Sequence, residues 1–200
     1  MKKDYKELKD AELIGLSAKG DEHAFKALVD RHGRWAYGFV MRNVHNPDTA
    51  WDITQDAFVR VFKNLDSFRQ ESSFGTWFRR ILYNLCIDYW RKNKKHNALE
   101  YMDELSVKSE AGKYAVQKPD ATPEQNSTRK EAVILLEEAV ATLSVEHKTV
   151  ITLREIEGKS YEEIAEIMNC PKGTVMSRLY HARKKIVEYM SRNGYTTPEL

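Results

Sequence analysis

In the first half of the chain, apolar side chains recur at steps of three and four, the spacing that lays one apolar face along an α-helix. From Ala24 to Asn43 the apolar positions are Phe25, Leu28, Val29, Trp35, Ala36, Phe39 and Val40. Asn46-Pro47 then reads as a cap followed by proline at the first helical position. Ala50, Ile53, Ala57, Val61 and Leu65 carry the repeat onward, with a stop near Asp66-Ser67. A further helix within Ser72 to His96 places Phe74, Phe78, Ile81, Leu85 and Tyr89 on one face. Beside that face runs a second stripe of Trp77, Arg80, Asn84, Asp88 and Arg91. The alternation expected of strands is missing throughout, so the pattern predicts an all-α fold in two small helical domains.

The second domain is set apart by what it lacks. Every Phe and Trp lies at or before Trp90. Asn97 to Thr128 then has no sustained periodicity, carries Pro119 and Pro123, and holds six acids against three lysines. Such a stretch reads as an acidic, flexible linker, giving a division into residues 1–96, 97–128 and 129–200. Thr122-Pro123-Glu124-Gln125 has the form of a capping box. It leads into Val133, Leu136, Val140 and Leu143, then a second helix from about Val145 to Glu155. Glu157-Gly158 turns the chain into Ser160 to Ile186, which reads as a helix-turn-helix. Ser160 and Glu163 box its first helix, and Ile164, Ala165, Ile167 and Met168 form an apolar face. Asn169 to Gly173 breaks it. The second helix buries Val175, Leu179, Ala182 and Ile186, and turns Thr174, Ser177, Tyr180, His181 and Lys184 outward. Met176, Arg178, Arg183 and Lys185 flank that outer face. This is the layout of a recognition helix, although a plain helical hairpin produces the same apolar spacing.

Composition narrows the class. The 200 residues are 31% charged and 42% hydrophobic, which suits soluble helical domains. No apolar run is long enough to span a bilayer, and the N-terminus MKKDYKELKD is charged rather than signal-like. Cys86 and Cys170 sit far apart in apolar helical settings, and the six histidines do not cluster. The expectation is a reduced, cytoplasmic protein with no metal and no cofactor, its thiols buried as small apolar groups. Asp52, Asp56 and Glu71 lack the His or further carboxylate that metal-dependent nuclease chemistry needs, so no enzyme is expected.

The net charge of +2 hides two basic poles. Arg79, Arg80, Arg91, Lys92, Lys94 and Lys95 face only Asp88, and Lys172, Arg178, Arg183, Lys184, Lys185 and Arg192 face only Glu188. Lysines and arginines gathered this way neutralise phosphates, while flat rings, amides and guanidinium groups stack on or bond to base edges.

Five runs together resemble a known family. Gly20-Asp21-x-x-Ala24-Phe25-x-x-Leu28, then Asp52-Ile53-x-Gln55-Asp56-x-Phe58, then Ser73-Phe74-x-Thr76-Trp77-Phe78-x-Arg80-Ile81-x-x-Asn84-x-x-x-Asp88 are similar to region two of an extracytoplasmic-function sigma factor of the sigma-70 family. Leu153-Arg154-x-x-Glu157-Gly158-x-Ser160-Tyr161-x-Glu163-Ile164-Ala165 and Gly173-Thr174-Val175-Met176-Ser177-Arg178-Leu179 resemble region four.

The resemblance implies an alternative sigma factor that binds core RNA polymerase and directs promoter recognition. Asp52, Gln55, Asp56, Val59, Arg60 and Asn64 would dock on the β′ clamp helices, with the β flap as a second contact. Spacing alone would read that surface as a solvated helix face. Phe68, Phe74, Trp77, Arg80, Asn84, Asp88, Arg91 and Lys92 would bind and open the minus-ten element. Lys172, Thr174, Met176, Ser177, Arg178, Tyr180, His181, Arg183 and Lys184 would read the minus-thirty-five element as duplex. The linker would thread the polymerase's RNA-exit path. An anti-sigma factor covering both domains would hold the chain inactive, and the free chain would be a monomer. Relatives place Arg or Lys at Met176 and some place Arg at His181, so no base preference carries over. A helix-turn-helix regulator acting without polymerase is the competing reading, and it leaves the aromatic helix unexplained.

Overall fold

The computed structural model describes residues 4–68, 72–96 and 123–195. The stretch 97–122, Glu71, and the side chains of Lys94, Lys95 and the Thr122–Gln125 box lie outside the described residues. All regular elements among the described residues are helical.

The chain opens with a helix that the sequence pattern did not predict, α1 over Asp10–Ser17. Its first turn closes where the Lys9 N–H donates to the Glu12 carboxylate at 2.9 Å. Leu13 and Ile14 bury it against α2, Glu22–Val44. Asp10 then fastens it, accepting from Arg31 at 2.6 Å and from His32 Nε2 at 2.9 Å. α2 starts at Asp21, whose carboxylate accepts from the Ala24 N–H at 3.1 Å. It stops at His45, which is left-handed at φ 56°. Asn46 then caps α3, Pro47–Lys63, by accepting from the Thr49 N–H at 2.9 Å, with Pro47 where proline is preorganised for a helix. A connection this short turns α2 and α3 into a helical hairpin. A 3-10 turn at Leu65–Ser67 precedes α4, Phe74–His96.

In the second half α5 spans Pro123–Ala141 and α6 spans Val145–Ile151. α5 therefore begins inside the segment expected to be linker. α6 runs on as a π turn over Thr152–Ile156. Gly158, at φ 64°, reverses the chain as expected, and the Lys159 N–H reaches back to the Leu153 carbonyl at 2.9 Å. Ser160 and Glu163 form the expected capping box at 3.1 and 2.9 Å, opening α7, Tyr161–Met168. Asn169, also left-handed, turns the chain toward α8, Lys172–Arg192.

The apolar repeats fall where the spacing places them. Ala50, Ile53, Ala57, Val61 and Leu65 are buried, as are Val175, Leu179 and Ala182, with Ile186 packed at the edge. Leu136 departs from expectation. It is exposed, and Ala139 takes the buried position on α5. Cys170 is only half-buried, whereas Cys86 is sealed and burial pushes its thiol up to about 12.

The two halves share one continuous apolar core. α7 and α6 pack against α4, and α6 also meets α2. This explains why α4 buries Tyr83, Cys86 and Ile87 besides the face read from sequence. Polar groups tie the same seam. Asn43, fully buried, donates to the Phe39 carbonyl and accepts from Thr149 Oγ1 at 2.8 Å. Its own carbonyl accepts from Trp90 Nε1 at 3.1 Å.

Candidate nucleic-acid interface

α4 begins at Ser73, whose hydroxyl accepts from the Thr76 N–H at 3.1 Å. That cap sets the phase of the stripe. Arg80, Asn84, Arg91 and Lys92 emerge exposed, with Asp88 half-buried among them. Trp77 is half-buried and leans on Phe68, ring centroids 4.9 Å apart. Phe74, expected at the DNA surface, is instead sealed at 4% exposure, stacked on Phe78 at 5.6 Å. Its ring is a wall of the core, because the helix start turns it inward against α2. Arg79, counted with the basic pole, is also withdrawn from it. Its Nε donates to Glu157 at 2.6 Å.

A concavity of about 660 Å³ opens beside the helix start, lined by Asp10, Ile14, His32, Phe68, Ser72 and Phe74 among others. The contribution of α1 was not read from sequence. The signal was Leu13-Ile14, about three turns' worth of residues before the first recognised repeat and too short to show a period. Burial holds the His32 imidazole below its usual range, although Asp10 pulls the other way. A carboxylate can only accept, so Nε2 carries the proton toward Asp10.

On α8 the outward face is Met176, Ser177, Tyr180, His181 and Lys184, all exposed. Tyr180 is 63% exposed and lies edge-on to His181 at 5.3 Å. Thr174 is half-buried. The cations around this face are held by acids: Lys172 by Glu162, Arg183 by Glu155 at 2.5 Å, and Lys184 by Glu188 at 3.9 Å. Arg178 is half-buried, its guanidinium 3.8 Å from the Cys170 sulfur and beside Tyr83 of α4. Exposed pairs of this kind are weak and screened by salt, so phosphates can displace the acids.

A third surface lies on the outer side of α3. Asp52, Gln55, Asp56, Val59, Arg60 and Asn64 are exposed together. Two large apolar side chains that the sequence reading passed over join them. Trp51 is 58% exposed beside Tyr37, and Phe62 is 52% exposed beside Phe25. Both fall outside the buried repeat of α3, and an aromatic ring off the buried register was the available signal.

The Sigma-70 region 2 family pattern matches residues 28–96, and the Sigma-70 region 4 pattern matches residues 134–186. The chain is 36% identical over 181 residues to the ECF RNA polymerase sigma-E factor of Haemophilus influenzae, covering 90% of this chain and 94% of that one. It is 35% identical over 181 residues to the Escherichia coli K12 protein of the same description, covering 90% and 93%. It is 33% identical over 177 residues to the RNA polymerase sigma-H factor of Pseudomonas aeruginosa, covering 88% and 91%. In fold it is similar to CnrH, solved with the cytosolic domain of CnrY, at a TM-score of 0.63 and 22% identity over 92% of this chain and 99% of that one. It is also similar to the sigma factor RpoE of Bartonella quintana, solved with the anti-sigma factor NepR, at a TM-score of 0.57 and 24% identity over 84% and 96%.

Proposed function

Because the chain belongs to the sigma-70 family, as an extracytoplasmic-function RNA polymerase sigma factor, we propose a division of labour among its three exposed faces. The protein binds core RNA polymerase and directs it to promoters. The outer face of α3, from Asp52 to Asn64, docks on the polymerase clamp, and Trp51 and Phe62 add apolar contact at its edge. The stripe on α4 engages the minus-ten element. Arg80 and Asn84 supply hydrogen bonds to bases or phosphates, while Arg91 and Lys92 neutralise backbone charge near the helix C-terminus. The α8 face enters the major groove at the minus-thirty-five element, where Ser177, Tyr180 and His181 face base edges.

The observation that carries this reading is the ordered pair of region two and region four in one chain, each with its polar face left open by the fold. Either half alone fits many regulators. An anti-sigma factor acting on both halves is part of the proposal, supported by the likeness in fold to the Bartonella quintana sigma factor RpoE, which was solved with the anti-sigma factor NepR. Among the described residues no helix is long and apolar enough to cross a membrane.

Reconstitution with core polymerase on genomic DNA, followed by sequencing of transcript starts, tests the function. Discrete starts that depend on the chain and share two upstream elements are the expected result. Binding of duplex DNA at palindromes, with no effect on polymerase, would leave the helix-turn-helix regulator as the reading.

A further inference from the structure

The outward face of α8 carries an apolar edge. Met176 is 52% exposed and Tyr180 is 63% exposed, two of the large apolar side chains that the fold leaves uncovered. They stand four residues apart on one helix, a spacing that brings their Cβ atoms to about 5–6 Å and joins them into one ledge. Exposed apolar groups bordered by polar ones mark surfaces that bind something. Gly173, one turn ahead on the same side, adds no side chain, and a Cβ there would meet nothing within 4 Å. Packing within the chain therefore does not require that glycine. The bare turn leaves room for a ligand to approach the start of the helix.

The cations of α8 do not serve this edge. Between Thr174 and His181 the only Lys or Arg is Arg178. It turns away from the outward face, its guanidinium 3.8 Å from the Cys170 sulfur. Lys172, at the helix start, is held by Glu162. In a major groove, guanine is read by Arg or Lys on its O6 and N7. The first turns of a recognition helix are the part that reaches base edges, and here they present no unpaired guanidinium or ammonium. Met176 has no N–H or O–H to offer, and its thioether is a weak acceptor at best. What a thioether and a flat ring can recognise in the groove is the 5-methyl group of thymine, the apolar mark among the base edges.

We infer that Met176 and Tyr180 form a methyl-reading ledge, which selects an A·T pair in the minus-thirty-five element by seating the 5-methyl group of its thymine. The inference rests on the sigma-factor reading, in which α8 enters the major groove, and it names a base that this reading leaves open. The two side chains contribute differently. Tyr180, edge-on to His181 at 5.3 Å, supplies a wall. Met176 is unbranched and adaptable, and closes on the methyl from the other side. Ser177 and His181, exposed on the neighbouring edge, are left for hydrogen bonds to the adjoining bases.

The test uses the full-length chain reconstituted with core polymerase, on the minus-thirty-five element that it selects from a randomised pool. Each thymine is replaced in turn by deoxyuridine, which pairs identically and lacks only the methyl group. At one position binding of the holoenzyme should weaken about fourfold, the worth of one methyl group withdrawn from apolar contact. Met176→Leu, apolar and of similar size, should keep that discrimination. Met176→Ala should reduce it, and Met176→Ala with Tyr180→Ala should erase it, so that both bases are bound alike. Both side chains are exposed, so these variants keep the fold, which their melting temperatures check. A selected element with no thymine in either strand, a deoxyuridine scan without effect, or a discrimination that survives the double variant overturns the ledge even where initiation is normal. Failure of the wild-type chain to program core polymerase overturns the functional reading instead.

Discussion

Thr149 Oγ1 donates to Asn43 Oδ1 at 2.8 Å with both residues fully buried, joining α6 to the last turn of α2 across the seam. The bond is local in space and remote in sequence, 106 positions apart. Thr149→Val keeps the shape but removes the donor, leaving Asn43 Oδ1 in the dry interior. The cost should be about 1–3 kcal/mol, the desolvation of an unmade bond rather than the net value of a made one. Urea unfolding checks it, and a loss well under that range would mean water reaches Asn43.

Leu179 and Leu136 provide a paired test of the C-terminal packing. Leu179 is 2% exposed and Leu136 is 42% exposed, although both fit a helical repeat. Leu179→Ala should cost about 2–5 kcal/mol through lost burial and the cavity left behind. Leu136→Ala should stay within about 0.5 kcal/mol of wild type. Thermal melts that rank them the other way would reverse the assignment of faces on α5 and α8.

These positions also mark what sequence could and could not convey. Val175, Leu179 and Ala182 were legible because one helix with one buried face leaves a clean period. Leu136 and Ala139 were not, because which side of α5 is covered depends on where α8 crosses it. Phe74 failed for a similar reason. An aromatic at a helix start serves equally as wall or as stacking platform until the neighbouring helix is known. Of the candidate site, the outward faces of α3, α4 and α8 were readable from polar spacing. Trp51, Phe62 and the pairing of Arg79 were not, since each is decided by contacts between distant segments.

On α3, reversing the charge of Asp52 and Asp56 together should abolish binding to core polymerase while leaving circular dichroism unchanged. Both side chains are exposed and neither supports the core. Trp51→Ala should weaken binding too, and by more than a charge-neutral surface change. Retained binding by the double reversal would remove α3 from the polymerase contact.

For the promoter faces, Asn84→Ala and Arg80→Ala should each weaken opening by about 1–3 kcal/mol, read by permanganate footprinting. On α8, Lys184→Ala should weaken all promoters alike and reduce the salt slope by about 1. Substitutions at Ser177, Tyr180 or His181 should change which minus-thirty-five sequences are selected from a randomised pool. A shift in selected bases confined to Lys184→Ala would mean that α8 sits rotated in the groove.

Lys148 of α6 is buried and its ammonium donates to His45 Nε2 at 2.9 Å, and this pair sets a pH dependence of stability. A lysine whose pKa falls to about 8 when buried costs stability while it is charged. Stability should therefore rise with pH from about 8 toward the usual lysine value near 10.4. Burial, and then the Lys148 ammonium, hold His45 well below its usual value, so acidification below about 6.5 should loosen the fold further. Cys86 opposes the alkaline trend, because its buried thiol must stay neutral where a free one ionises. The difference between wild type and Lys148→Met removes that opposing contribution. It should shrink between pH 8 and 10 and reach its full size below pH 8. A difference independent of pH would mean that Lys148 is solvated.

The π turn at Thr152–Ile156 sets a length constraint on the chain. A π turn takes up one more residue than an α-helical turn, so α6 reaches Glu157 in the phase of a regular helix one residue shorter. Regularising the turn to α without shortening the chain would swing the following positions by about 100°. Glu157 would then leave Arg79, while the α7–α8 pair kept its own core. The register of one half against the other thus depends on the turn absorbing one surplus residue: deleting one residue there should be tolerated, whereas adding another should uncouple the halves without altering any side chain of the seam.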